Sequence, residues 1–182
     1  MSLKPKFWNA DKIVSFSAIL ISLATMAIYL YQTHLIQKQQ HASVMPYLSV
    51  ATSSFSQKHF LIQLSNDGLG PAMIDKVKVH YLKKEYVDCD LPIFFDQKNP
   101  VKKDSMLMNA VTWSNIGEGQ LIPAGKTINL MEVKENSEMA KTLSNYFWNN
   151  KTPIELEIIY SSIYGDKWSV KGIVSRPTKI ED

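Results

Sequence analysis

A single cysteine, Cys89, stands among 182 residues, so the chain cannot close an intrachain disulfide, and any folded part must be held by its own apolar core. The expected place for that thiol is a buried, unreactive position in a strand rather than a bond to a second chain. Histidine is scarce as well. His34, His41, His59 and His80 are the complete set, and none stands in an H-x-H or H-E-x-x-H spacing. G-x-S-x-G, G-x-x-x-x-G-K-[ST] and the dinucleotide fingerprint are all missing, which removes the motif-level signals for a serine hydrolase elbow, a phosphate loop and a nucleotide fold. The expectation is a non-enzymatic protein with no cofactor and no metal.

A net charge excess of one sign is missing from the part of the chain expected to fold. The chain carries 20 Lys and Arg against 17 Asp and Glu, a formal +3. Lys4, Lys6, Lys12 and Lys38 against Asp11 account for all of that excess within residues 1–44, leaving residues 45–182 neutral. A nucleic-acid binder works by placing a basic face against phosphates, so nucleic acid is not expected as a partner.

What the chain does have is a long uncharged run, Ile13 to Tyr31 (IVSFSAILISLATMAIYLY). At about 1.5 Å per residue, nineteen helical positions cover roughly 28 Å, close to the ~30 Å hydrocarbon core. The expected order is therefore a short N-terminus (1–12), a transmembrane helix (13–31), a helical stalk (32–45) ended by Pro46, and a folded domain (46–182). The run is longer than a signal h-region and exits through Tyr29-Leu30-Tyr31, where cleavage requires small residues, so an uncleaved anchor is expected. Lysines concentrate before the span, and Phe7, Trp8, Tyr29 and Tyr31 flank it. That places the N-terminus in the cytoplasm and the C-terminal domain in the periplasm or outside the cell. Ser15, Ala18, Ser22 and Thr25, at spacings of 3, 4 and 3, put small residues on one helix face where a second helix can approach. The expected partners are thus the lipid bilayer and, through this face, another membrane protein or a second copy of the chain.

Beyond Pro46 the pattern becomes short alternating runs bounded by turn residues. Strands are expected at 47–51, 60–64, 74–81, 127–131, 154–160 and 167–174, the last two joined as a hairpin through Gly165-Asp166. One short helix is expected at 137–148, capped by Ser137, with Met139, Leu143 and Phe147 on one face. The segment 85–120 reads as an excursion between sheets. Asn66-x-Gly68-x-Gly70-Pro71 reads as a structural turn, with glycines free to take positive φ and Asn66 able to bond nearby backbone. The class is mainly β: an antiparallel β-sandwich with one short helix behind a single N-terminal transmembrane helix.

Several groups carry side chains capable of chemistry. His34 and His41 share a stalk face, and Asp88, Asp90 and Asp96 could offer oxygens to Ca²⁺, but solvated positions explain both sets better. Glu155 and Glu157 lie at i, i+2 on one strand, on the face opposite Leu156 and Ile158, and need a cleft before they can act as a carboxylate pair. Trp113, Trp148 and Trp168 read as core.

The Val44-Met45-Pro46-Tyr47-Leu48 junction, the Asn66-x-Gly68-x-Gly70-Pro71-Ala72 turn after a strand, and the Ile159-Tyr160 to Gly165-Asp166-Lys167-Trp168 segment resemble uncharacterised bacterial envelope proteins with one N-terminal span and an immunoglobulin-like sandwich. That resemblance implies fold and location and brings no catalytic residues. The functional expectation is a membrane-anchored binding or scaffold module of the cell envelope, an accessory subunit of a membrane complex. A hydrolase-like envelope enzyme and a sensor subunit that needs a signalling partner are the alternatives.

Overall fold

The computed structural model describes residues 10–56, 58–98, 110–149 and 153–180, and the chain divides into two units at Ala42/Ser43. Lys4, Lys6, Phe7 and Trp8 lie outside the described residues. The described part of the first unit lies in one helix, α1 (Ala10–Ser43), with no buried residue; it runs through the apolar stretch and the glutamine-rich stretch without a break. It is long and apolar enough to cross a membrane. The hydroxyls of Ser15, Ser22, Thr25 and Thr33 each donate to the carbonyl four residues back, at 2.8–2.9 Å. These polar side chains are therefore satisfied inside the helix and present an outer surface that behaves as small and apolar.

The described residues of the second unit, from Ser43, form ten strands in two antiparallel sheets. β1 (Leu48–Ser56), β2 (His59–Asn66), β7 (Thr127–Val133) and β5 (Val111–Trp113) lie in the order β1-β2-β7-β5. The other sheet runs β10-β9-β8-β3-β4, built from β3 (Ala72–Tyr81), β4 (Lys84–Val87), β8 (Glu155–Ser161), β9 (Lys167–Lys171) and β10 (Thr178–Ile180); two-residue β6 (Leu121–Ile122) pairs with the start of β3. One apolar core draws on both sheets, with Leu48, Val50, Ile62 and Leu64 from the first and Ile74, Val79, Leu156, Ile158 and Val170 from the second. Tyr160 crosses between them: its ring is fully buried against Trp168, and its hydroxyl accepts the Leu48 N–H at 3.2 Å. Burial pushes this phenol up to about 12.

Bulges explain a pattern that simple alternation does not. In β3 the buried set Ala72, Ile74, Val77, Val79 changes parity because the register against β8 slips between Ile74 and Lys76, leaving Asp75 as the extra residue. In β7, Leu130 and Met131 are both buried because the register against β2 skips Leu130.

Residues 85–98 correct the expectation of a single short helix in the domain. α2 (Leu91–Lys98) inserts Leu91, Phe94 and Phe95 into the core, and its rings connect Tyr81, Tyr86, Trp113, Phe147 and Phe60 in one aromatic cluster. α3 (Ser137–Ser144) is a further helix and passes into a π-helical turn at Asn145–Asn149. Its cap is Asn136, whose side chain accepts from the Met139 N–H, rather than Ser137. Cys89 is buried as expected, but in the turn between β4 and α2 rather than in a strand; burial and the neighbouring Asp90 carboxylate push its thiol up. Strand β9 ends at Lys171, short of the expected 174, because Gly172 and Val174 take left-handed conformations and the Val174 N–H turns to the Val50 carbonyl of the other sheet. β3 and β4 form a hairpin across Leu82 and Lys83, at φ 51° and 62°. Two consecutive positive φ values define the turn that Asn-Gly ordinarily supplies, so nothing in this sequence marks the hairpin.

Candidate functional site

Charged and polar side chains outside the core gather on the solvent face of the β4-β3-β8-β9 sheet. Strand alternation puts Lys78 and His80 on that face, and cross-strand pairing sets them beside Glu85 of β4 and Glu155 and Glu157 of β8, with Ser169 and Lys171 beyond on β9. His80 Nε2 lies 2.6 Å from Glu157 Oε2, Lys78 Nζ lies 2.7 Å from Glu85 Oε1, and Lys171 Nζ lies 3.5 Å from Glu155 Oε2. Ser169 Oγ donates to Glu157 Oε1 at 3.1 Å. Each carboxylate of the row therefore has a basic partner on a neighbouring strand.

Burial works to raise Glu157, but hydrogen bonds from His80 and Ser169 and the Lys78 charge outweigh it and hold the carboxyl below its ordinary range. The hydrogen bond from Lys78 does the same for the exposed Glu85. A carboxylate lowered in the folded state contributes stability that is fully present above its unfolded value, about 4.3, and lost as pH falls through the folded value. Glu157→Gln is accordingly expected to cost about 1 kcal/mol at pH 7, with the difference from the parent shrinking below about pH 4. Thermal unfolding of both proteins in detergent across that range checks it; a difference independent of pH would discard the carboxylate's role.

At one end of this face the β3–β4 turn, the start of β8 and the end of β9 enclose an open groove of about 360 Å³. Its rim carries Lys83, Lys84 and Lys171 with Glu85 and Glu155, and Leu82 and Pro153 supply apolar surface. On the other sheet, Glu132 meets His59 and Lys134, each at 3.3 Å, and these contacts outweigh burial to lower its carboxyl.

The Asn66 turn is heavily hydrogen-bonded. Asn66 is 1% exposed; its Oδ1 accepts the N–H groups of Tyr47 and Gly68, and its Nδ2 donates to the carbonyls of Gly70 and Ile122. Gly68 and Gly70 do not take positive φ, which corrects that expectation. They are needed because a Cβ at Gly68 would sit 2.5 Å from the Met45 carbonyl oxygen, and one at Gly70 2.5 Å from the Val44 carbonyl carbon. Pro71 leads from this contact into β3.

The acidic loop is not a solvated one at its centre. Asp90 is 2% exposed: Oδ1 accepts the Ile93 N–H and so caps α2, and Oδ2 accepts from Asn115 Nδ2 and the Ile116 N–H. Asp88 and Asp96 point outward. Among the described residues no group of three His, Cys, Asp or Glu is arranged to hold a metal ion. Glu155 and Glu157 do share a face, but each is engaged by a neighbouring strand. Trp168 is buried and Trp113 packs on Phe95, whereas Trp148 is 48% exposed and is not core. His34 and His41 lie on α1. The groove was missed in the sequence because the hairpin that builds it carries no turn signal.

Comparison with protein-family models, with curated proteins and with solved structures finds no match for this chain.

Proposed function

We propose that the chain is a single-pass membrane protein of the bacterial envelope that displays an immunoglobulin-like sandwich and acts by binding, as an accessory or scaffold subunit, rather than by catalysis. The observation that carries this reading is the pairing of a fully exposed apolar helix, suited to lipid, with a second unit that completes its own core. The strand orders support the sandwich. β1-β2-β7-β5 corresponds to A-B-E-D of the immunoglobulin arrangement and β9-β8-β3-β4 to G-F-C-C′, with β6 and β10 as additions. The lysine bias before the span supports a cytoplasmic N-terminus and an external domain. The small-residue face Ser15, Ala18, Ser22 and Thr25 suits contact with another span or a second copy.

Fusing alkaline phosphatase or a fluorescent protein to the C-terminus tests the arrangement. Phosphatase activity without fluorescence is expected in bacterial cells, and the reverse pattern would overturn the orientation. Crosslinking in the native membrane is expected to recover the chain joined to another protein.

A further inference from the structure

The groove at the β3–β4 turn differs from the rest of the charged face in having cations to spare. Its two carboxylates are already matched, Glu85 by Lys78 and Glu155 by Lys171. Lys83 and Lys84 carry no ion pair among the described residues, and they stand side by side on the rim of a concave surface. Counting the whole row, Lys78, Lys83, Lys84 and Lys171 face Glu85, Glu155 and Glu157, one cation in excess before His80 is considered. The Lys171–Glu155 pair is long, at 3.5 Å, with both side chains close to half exposed, so Lys171 can turn to an incoming carboxylate at small cost.

The backbone presents this rim by an unusual choice of residues. Leu82 and Lys83 occupy left-handed positions that Asn and Gly would fill with less strain, and Leu82 is left 55% exposed at the tip. An apolar side chain beside lysines at the mouth of a groove offers both contact area and charge. The location is also the end of the second unit away from the Ser43 entry: β3 starts beside the Val44–Tyr47 segment and ends at this turn. The turn therefore lies a full strand length from the chain's point of entry.

We infer that the groove rimmed by Lys83, Lys84 and Lys171 is a docking surface for an acidic segment of a partner protein, whose carboxylates meet the unpaired lysines while an apolar residue packs on Leu82 and Pro153. The inference rests on the reading of the chain as a binding module and names its binding face. The attraction is between exposed charges, so it is salt-sensitive and governs encounter and choice of partner more than tightness.

A photocrosslinking amino acid placed at Leu82 of the full chain in its native membrane tests it, with the same label at Leu69, exposed on the turn at the other end of the unit, as control. The expected result is an adduct from position 82 whose partner-side peptide is rich in Asp and Glu. Its yield should fall about tenfold in Lys83→Glu/Lys84→Glu and at 0.5 M NaCl, and recover when the partner's acidic residues are changed to lysine. Both lysines are exposed, so the double variant should fold; an unchanged thermal midpoint verifies that. An adduct indifferent to charge reversal, an adduct to a second copy, or adducts from Leu69 alone would overturn the inference while leaving the binding reading intact. No adduct from any surface position would remove both.

Discussion

Asn66→Ala is expected to lower the stability of the second unit by about 3 kcal/mol, which for a unit of this size moves the thermal midpoint by roughly 10 °C. The side chain uses all four of its ordinary hydrogen-bonding positions, at 2.9–3.2 Å, on Tyr47 and Gly68 N–H and on Gly70 and Ile122 C=O. The Asn66 backbone adds a bond to the Lys126 carbonyl and accepts one from the Gly125 N–H. One residue thus joins the entry segment, its own turn, β6 and the turn before β7. Truncation leaves two donors and two acceptors in a place with little water, and unpaired buried polar groups cost more than their bonds contributed. Asn66→Asp should be at least as harmful, because an acceptor-only carboxylate would face the Gly70 and Ile122 carbonyl oxygens. Urea unfolding measures both; a loss under about 1 kcal/mol for either would show that the four contacts are incidental.

Gly70→Ala is expected to cost about 2–4 kcal/mol, for a different reason. The added methyl would overlap the backbone of Val44, with the carbonyl carbon at 2.5 Å and Cα at 2.9 Å, and backbone cannot swing away as a side chain can. Gly68→Ala meets Met45 and Pro46 backbone in the same way. Neither glycine has a positive φ, so the penalty is one of space and not of conformation. Gly117→Ala is the matched control: nothing lies within 4 Å of its Cβ position, and its stability should stay within about 0.5 kcal/mol of the parent. Equal losses at Gly70 and Gly117 would mean that a general effect of adding a methyl, and not the close approach of two segments, explains the result.

Both positions were recognisable from the chain, but for a partly mistaken reason. Asn, Gly and Pro within six residues mark a turn by their backbone preferences alone, whereas the tightness of Gly68 and Gly70 against 44–47 depends on a segment twenty or more residues earlier. Asp90 shows the same limit. In sequence it belongs to an acidic cluster, and only the folding of 114–116 against the start of α2 turns it into a buried cap. The β3–β4 hairpin and its groove were invisible because Leu82-Lys83 contradicts the usual turn chemistry, and β5 and β6 are too short for any alternation to register.

The apolar run, the charge asymmetry around it and the alternation of the longer strands determined that this is a helix suited to a bilayer joined to a neutral, antiparallel β unit. Those properties are local: they depend on side-chain solubility and on periods of about 3.6 and 2 residues, which the chain carries in its order. Tertiary structure alone decided the order of the strands, the parity changes at Asp75 and Leu130, the burial of Asp90, and the placing of three lysines around one groove. Each of these brings together residues far apart in the chain, and long-range packing, in which a strained turn or a bulge is accepted for the sake of a closed core, is what selects them.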